Sequence, residues 1–206
     1  MSTATTPKNY RWHGVQDAEV WSAFKSGDWQ AFEYIYSTYL HDLFNYGMKV
    51  KENSSLVEDA IQELFVELWK SRENLADAEK IKFYLLKSLR WKICHLLKRE
   101  SKLYAQQGLE ETTVVLPHEN YLIQTQQLME TKQHLKHCIE KLPPRQKEVL
   151  QLLFFEDFSH AEIAAIMELR LRSVYVLSYR ALSSLKKDLI GKGIRFVTLL
   201  SMLLFL

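Results

Sequence analysis

The chain is poor in residues that break a backbone and in those that staple one. Its 206 residues include six glycines and four prolines, while Leu, Glu, Lys and Gln are plentiful. So few breakers point to a mostly helical protein. No glycine-rich phosphate loop is present, which removes the usual sequence basis for a nucleotide-binding enzyme. Two cysteines, Cys94 and Cys138, lie far apart inside helical patterns. They make no disulfide framework, and a reduced, cytoplasmic chain is expected. The opening "MSTATTPKNYRWHG" has no apolar signal core, so secretion is not expected. The apolar run at the other end, "RFVTLLSMLLFL", falls short of the roughly 20 residues a bilayer span takes. Charge of one sign is also missing. A net charge of +2 excludes a general polycation, so any nucleic-acid surface must come from local segregation of charge.

What the chain does have is apolar residues, 47% of the total, enough for a buried core. The expected fold is all-α: two small helical domains joined by a flexible linker, the second a helix-turn-helix. Residues 1–16 read as a disordered tail. Helical periodicity begins at Asp17 and runs through Val20, Trp21 and Phe24 into "GDWQAFEYIYSTYLHDLFNYGMKV". Ser55 followed by Glu58 has the spacing of a capping box and predicts a helix to about Lys70. A further helix is predicted from about Glu79 to Arg99, closing a first domain over 17–100. Gly108, Pro117 and polar clusters then mark residues 101–122 as a linker. Helicity resumes in "QTQQLMETKQHLKHCIEKL" and stops before Pro143. Pro144 suits the first turn of the next helix. The second domain is placed at 123–190 and an apolar tail at 191–206.

Two successive helices of the first domain carry opposite charge. In "VEDAIQELFVELWK", Val57, Ile61, Leu64, Phe65 and Leu68 form an inner side, and Glu58, Asp59, Gln62, Glu63 and Glu67 form an acidic outer one. Such a face repels phosphate and calls for a basic partner or for water alone. In "KIKFYLLKSLRWKICHLLKRE", Leu85, Leu86, Leu89, Ile93, Leu96 and Leu97 form the core stripe. Tyr84, Lys87, Ser88, Trp91, His95 and Lys98 line the other side, with Arg90, Lys92 and Arg99 beside them. Rings interleaved with cations suit single-stranded DNA, because bases stack on rings while cations follow the backbone. The competing reading packs Trp91 and Tyr84 under a neighbouring helix.

The stretch "SHAEIAAIMELRLRSVYVLSYRALSSLKKDL" predicts two helices around a tight corner. Ser159 and Glu162 form a second capping-box pattern, and Ile163, Ala164, Ile166 and Met167 an inner side. After the corner, Val174, Ser178, Ala181 and Leu185 make a narrow packing stripe. Arg172, Ser173, Tyr175, Val176, Tyr179, Arg180 and Ser183, then Lys186 and Lys187, face away from it. A helix entering the major groove needs this division, with small residues behind, hydrogen-bonding and flat groups near the start, and cations for phosphate. A plain antiparallel helical hairpin with a solvated face is the alternative.

Taken together, residues 27–188 resemble the small two-domain RNA polymerase sigma factors of the extracytoplasmic-function class. The resemblance lies in "GDWQAFEYIYSTYLHDLFNYG", in the pattern formed by Asp59, Gln62, Glu63 and Phe65, in "FYLLKSLRWKICHLLKR", in "LPPRQKEVLQLLFFEDFSHAEIAAIM" and in "SVYVLSYRALSSLKK". It implies a non-enzymatic protein, without cofactor or metal, that binds core polymerase and directs it to promoters. Asp59, Gln62, Glu63 and Phe65 would dock on the β′ clamp helices, and the second domain would meet the β flap. Tyr84, Lys87, Ser88, Trp91, His95 and Lys98 would open and hold the −10 element. Arg170, Arg172, Ser173, Tyr175, Val176, Tyr179 and Arg180 would read the −35 element. The linker would thread toward the active-site and exit channels. A membrane-bound anti-sigma factor and a monomeric state are further expectations.

The chain departs from the family pattern at several positions. Glu168 stands where a small residue is usual, and Arg170 where serine begins the recognition helix. Tyr175 and Leu177 replace cations, Trp91 an asparagine and His95 an aspartate. The tyrosine-bearing recognition helix resembles sigma factors of Bacteroidetes.

Other classes have less to stand on. His134, His137 and Cys138 share helical spacing but no fourth ligand is evident, so a metal site is not expected. Cys94 and His95 lack a recognisable base or oxyanion partner. A stand-alone helix-turn-helix regulator remains the alternative function; it would need a two-fold interface and a palindromic operator. A helical enzyme with an unrecognised site is the third. For the apolar tail, packing within the protein or against a partner is expected ahead of a membrane surface.

Overall fold

The computed structural model describes residues 10–107 and 135–190. The expectations for residues 1–9, for 108–122 of the linker, for the helix start at 123–134 including His134, and for the tail at 191–206 lie outside the described residues. Among the described residues every regular element is helical. The chain divides into two units, 1–106 and 107–206.

The first unit contains α1 (Asp17–Lys25), α2 (Trp29–Val50), α3 (Ser54–Ser71) and α4 (Ile81–Gln107), preceded by a 3-10 turn at Tyr10–Trp12. Residues 10–16, expected in a disordered tail, are therefore ordered, because burial of Trp12 ties them to the core. Gly27 takes a left-handed φ of 93° between α1 and α2, a conformation open to glycine at little cost. Asp28 then caps α2 by accepting from the amides of Gln30 and Ala31. At α3 the cap is Asn53, whose side chain accepts from the Leu56 amide. Ser55, expected in that role, sits in the first turn; Asn53 lies two residues earlier and already satisfies the orphan amide. At α4 the first amide, Ile81, donates to Asp17 Oδ2 at 2.8 Å, so α1 caps α4 across the unit. Asp17 Oδ1 also accepts from the Tyr39 hydroxyl at 3.4 Å. Burial and this carboxylate push the Tyr39 phenol well above its ordinary pKa.

The core is built from the predicted stripes. Val20, Trp21 and Phe24 of α1 meet Ile35, Leu43 and Tyr46 of α2, Val57, Ile61, Leu64 and Leu68 of α3, and Leu85, Leu86, Leu89 and Ile93 of α4, all buried. Gly47 of α2 lets α3 and α4 approach closely. A Cβ there would lie 2.5 Å from Val57 Cγ1 and 3.4 Å from Ile93 Cδ1. Both neighbours are β-branched and fully buried, so neither has room to turn away. Gly47→Ala is expected to lower the unfolding free energy of this unit by about 1–2 kcal/mol, overpacking outweighing the gain in helix propensity. Urea unfolding checks it.

The second unit begins with helical residues 135–140 (α5) and continues through α6 (Pro144–Phe154), α7 (His160–Met167) and α8 (Leu171–Ile190). Pro144 occupies the first turn of α6 as its fixed φ allows. Leu135, Cys138, Leu142, Leu150, Ala181 and Leu185 form a core cluster, against which Ile139, Phe154 and Leu182 pack. Cys138 is therefore a core residue while His137 is exposed, and the two do not face a common ligand.

Candidate nucleic-acid and polymerase interfaces

On α3 the sequence-predicted residues separate. Asp59, Gln62 and Glu63 are exposed, as are Glu58 and Glu67. Phe65 is only 4% exposed. Its ring meets Phe32 edge-on at 6.0 Å and Tyr36 at 4.8 Å. Phe65 therefore cannot offer its ring to a partner; it holds α2 against α3 from inside.

The charge map needs a second correction. Lys92 and Arg90, expected beside the DNA-facing residues, are buried. Lys92, 6% exposed, points at α3 and pairs with Glu67 at 2.7 Å and Glu63 at 3.8 Å. A buried ammonium needs such partners, since a charge buried without one is strongly destabilising. The acidic side of α3 is thus partly compensated from within, through Glu63 and Glu67. Asn53, Ser55, Leu56, Asp59, Gln62 and Glu63 line a shallow groove with Leu96 of α4.

An apolar surface continues that face. Trp29, Tyr36 and Val66 are exposed, and the rings of Phe32 and Trp69 are half-buried between them. Trp69 meets Trp29 edge-on at 5.1 Å and carries the Arg72 guanidinium over its face at 4.6 Å. Asp59, Gln62, Val66 and Trp69 follow one another at helical spacings of three and four, which puts them on one side of α3. Sequence reading missed this patch. Its signal was the surplus of large apolar residues at 29, 32, 36, 66 and 69, more than one core stripe requires.

On α4, Trp91 is 53% exposed. Its ring lies parallel to His95, centroids 5.0 Å apart and planes within 10°. Lys87 precedes Trp91 by one turn and Lys98 follows His95 by three residues; both are exposed. Ser88 is half-buried between them. Tyr84 is drawn inward, its ring 4.9 Å from Trp21, whose indole donates to the Ala76 carbonyl at 2.9 Å. The outward surface is therefore Lys87, Trp91, His95 and Lys98, and Tyr84 supports it from the core side.

In the second unit the corner and its helices match the pattern. Ser159 Oγ accepts from the Glu162 amide, and the Glu162 carboxylate accepts from the Ser159 amide at 2.8 Å. Glu168 closes α7 in the left-handed region, φ 54° and ψ 45°. That backbone explains why a residue without Cβ would suit the position. Val174, Ser178, Ala181 and Leu185 are buried on the inner side of α8. Arg170, Arg172, Tyr175, Val176, Tyr179 and Arg180 are exposed, and Ser173 is half-buried. Arg170 precedes the helix, its carbonyl accepting from the Ser173 and Val174 amides.

No helix among the described residues is long and apolar enough to cross a membrane. Among them, no cluster of His, Cys, Asp or Glu suited to a metal ion is present either.

Comparison with known proteins gives this arrangement a family. No curated protein sequence matches the chain significantly. Residues 35–103 match the family model for Sigma-70 region 2, and residues 132–185 match that for Sigma-70, region 4. The fold is similar to that of the sigma factor RpoE from Bartonella quintana, solved in complex with the anti-sigma factor NepR. The TM-score is 0.58 and the identity 20%, over 77% of this chain and 96% of that one. It is also similar to CnrH, solved with the cytosolic domain of CnrY: TM-score 0.56, identity 18%, over 85% of this chain and 97% of the other. With the two regions in this order over more than half of its length, the chain belongs to the sigma-70 family and is a sigma factor, a non-enzymatic protein that directs RNA polymerase to specific promoters for transcription initiation.

Proposed function

We propose that this sigma factor is of the extracytoplasmic-function class and Bacteroidetes type. It works in the cytoplasm as a monomer, its first unit reaching to the end of α4 and its second proposed over 123–190 with a linker between, and divides its partners by surface. Asp59, Gln62 and Glu63, extended by Trp29, Tyr36, Val66 and Trp69, dock on the β′ clamp helices of core polymerase. Phe65 shapes that face from inside. The second unit meets the β flap. Lys87, Trp91, His95 and Lys98, backed by Tyr84 and Ser88, hold unpaired bases of the −10 element. Arg170, Arg172, Ser173, Tyr175, Val176, Tyr179 and Arg180 read the −35 element in the major groove. An anti-sigma factor anchored in the membrane holds the protein in reserve, a reading supported by the partners of the two similar structures, one an anti-sigma factor and one a cytosolic domain.

The observation that carries the reading is Trp91. A large ring left half in water, stacked on a histidine and set between lysines, is more exposed than packing in its own unit requires. Base stacking gives it one.

Adding the purified chain to bacterial core polymerase tests the proposal. Co-elution and specific run-off transcription are expected, with weak binding to duplex promoter DNA when polymerase is absent, because a net charge of +2 releases few counterions. Tight binding to a palindromic duplex by a dimer without polymerase would instead identify a stand-alone regulator.

A further inference from the structure

We infer that His160 is a positioning residue for Tyr175 in reading the upstream promoter element. This rests on the reading of α8 given above.

Tyr175 is 52% exposed on the outward side of α8, yet its ring is not free. The imidazole of His160, the first residue of α7, lies parallel to it with centroids 4.3 Å apart and planes within 16°. His160 is itself held. Its Nε2 lies 3.3 Å from Ser178 Oγ, and the Ser178 hydroxyl donates to the Tyr175 carbonyl at 3.0 Å. Ser178 is buried, which shields its end of this anchor from solvent. The contacts close a ring: Tyr175 side chain, His160, Ser178, Tyr175 backbone. At the other end, His160 follows the Ser159 cap, which fixes its backbone.

Tyr179, one turn further along α8, provides the contrast. It is 73% exposed, and no ring stacks on it among the described residues. Two tyrosines on one face of one helix are therefore prepared differently. A side chain held in place before binding loses less freedom on docking, and it penalises any base edge that requires it to move. A free side chain adapts to many. Tyr175 is thus the selective ring of the pair, and its selectivity belongs jointly to α7 and α8.

The test uses the full chain reconstituted with core polymerase, transcribing a pool of promoters randomised in the upstream element and fixed in the downstream one. Tyr175→Ala, His160→Ala, His160→Phe and His160→Gln are compared, with thermal melting of each. His160→Phe keeps a ring on Tyr175 without the hydrogen bond; His160→Gln keeps a polar reach to Ser178 without the ring. The expected result is loss of discrimination by about two- to tenfold in His160→Ala and His160→Gln, the range a ring pair supplies. The loss falls at the same base positions as in Tyr175→Ala. His160→Phe retains discrimination, and the His160→Ala/Tyr175→Ala double variant is no worse than Tyr175→Ala. Should His160→Gln discriminate like the parent, or should His160→Ala lower transcription equally from every promoter, the inference is overturned. A Tyr175→Ala variant with unchanged preference is a different failure, since it removes Tyr175 from base reading altogether.

Discussion

Replacing Trp91 by alanine is expected to cut open-complex formation by about five- to 150-fold while leaving core-polymerase binding unchanged and the first unit folded. The lower and upper figures correspond to one base stack, about 1–3 kcal/mol. The effect follows from position: its ring is half exposed and, among the described residues, stacks on His95, which is exposed as well. Its buried half contributes some packing, so unfolding should shift by about 1 kcal/mol, well short of the effect on opening if two or more bases depend on the ring. Permanganate reactivity of the melted bases measures the opening directly. Trp91→Phe should recover part of the loss, since a smaller ring still stacks. An open complex that forms at the parent rate would show that another group holds the unpaired bases.

Reversing the charge at Asp59 is expected to do the opposite. Asp59→Lys should weaken retention of core polymerase by about 30-fold or more, because a like charge brought against a complementary surface costs about 2 kcal/mol or more. The choice of residue follows from the pairing in the structure. Glu63 and Glu67 hold Lys92, so a lysine at either would face a buried ammonium and disturb the fold. Asp59 is exposed, and Glu63 lies one turn after it. A lysine at 59 would therefore gain a neighbour of opposite sign within α3. Loss of binding in that variant would belong to the partner surface, and equilibrium competition for core polymerase against the parent chain measures it.

Much of this was legible in the residues, and what was not has identifiable physical causes. The Ser159–Glu162 box, the Pro144 start and the Val174–Leu185 stripe depend on neighbours within a few positions, and the structure has them where the pattern puts them. Lys92 shows the limit. Helical position alone set it beside the DNA-facing cations, but the presence of α3 with two carboxylates decided where its ammonium went. Tyr84 turned inward for a similar reason, since Trp21 of α1 offers it a ring. Local competition explains the cap of α3, where Asn53 and Ser55 are both good caps and Asn53 comes first. Helix α4 continues to Gln107, six residues past the start expected for the linker. No apolar stripe announced residues 101–107, but they contain no glycine or proline, and the first breaker is Gly108. A helix already nucleated propagates through such a stretch at little cost. The aromatic patch around Trp29 and Trp69 escaped notice because a surplus ring on a core-facing pattern looks like core until the neighbouring helices are placed.

On the proposed division of roles, two faces of one small unit would serve a protein partner and a DNA strand separately, and a crossed comparison of Asp59→Lys and Trp91→Ala reads that claim most directly. Each variant is scored both for retention of core polymerase and for promoter opening at saturating polymerase. The account requires Asp59→Lys to lose retention yet open promoters once enough polymerase is supplied, and Trp91→Ala to keep retention yet fail at opening. Equal loss of both properties in either variant would mean that the surfaces do not act apart, and the division of roles would be wrong.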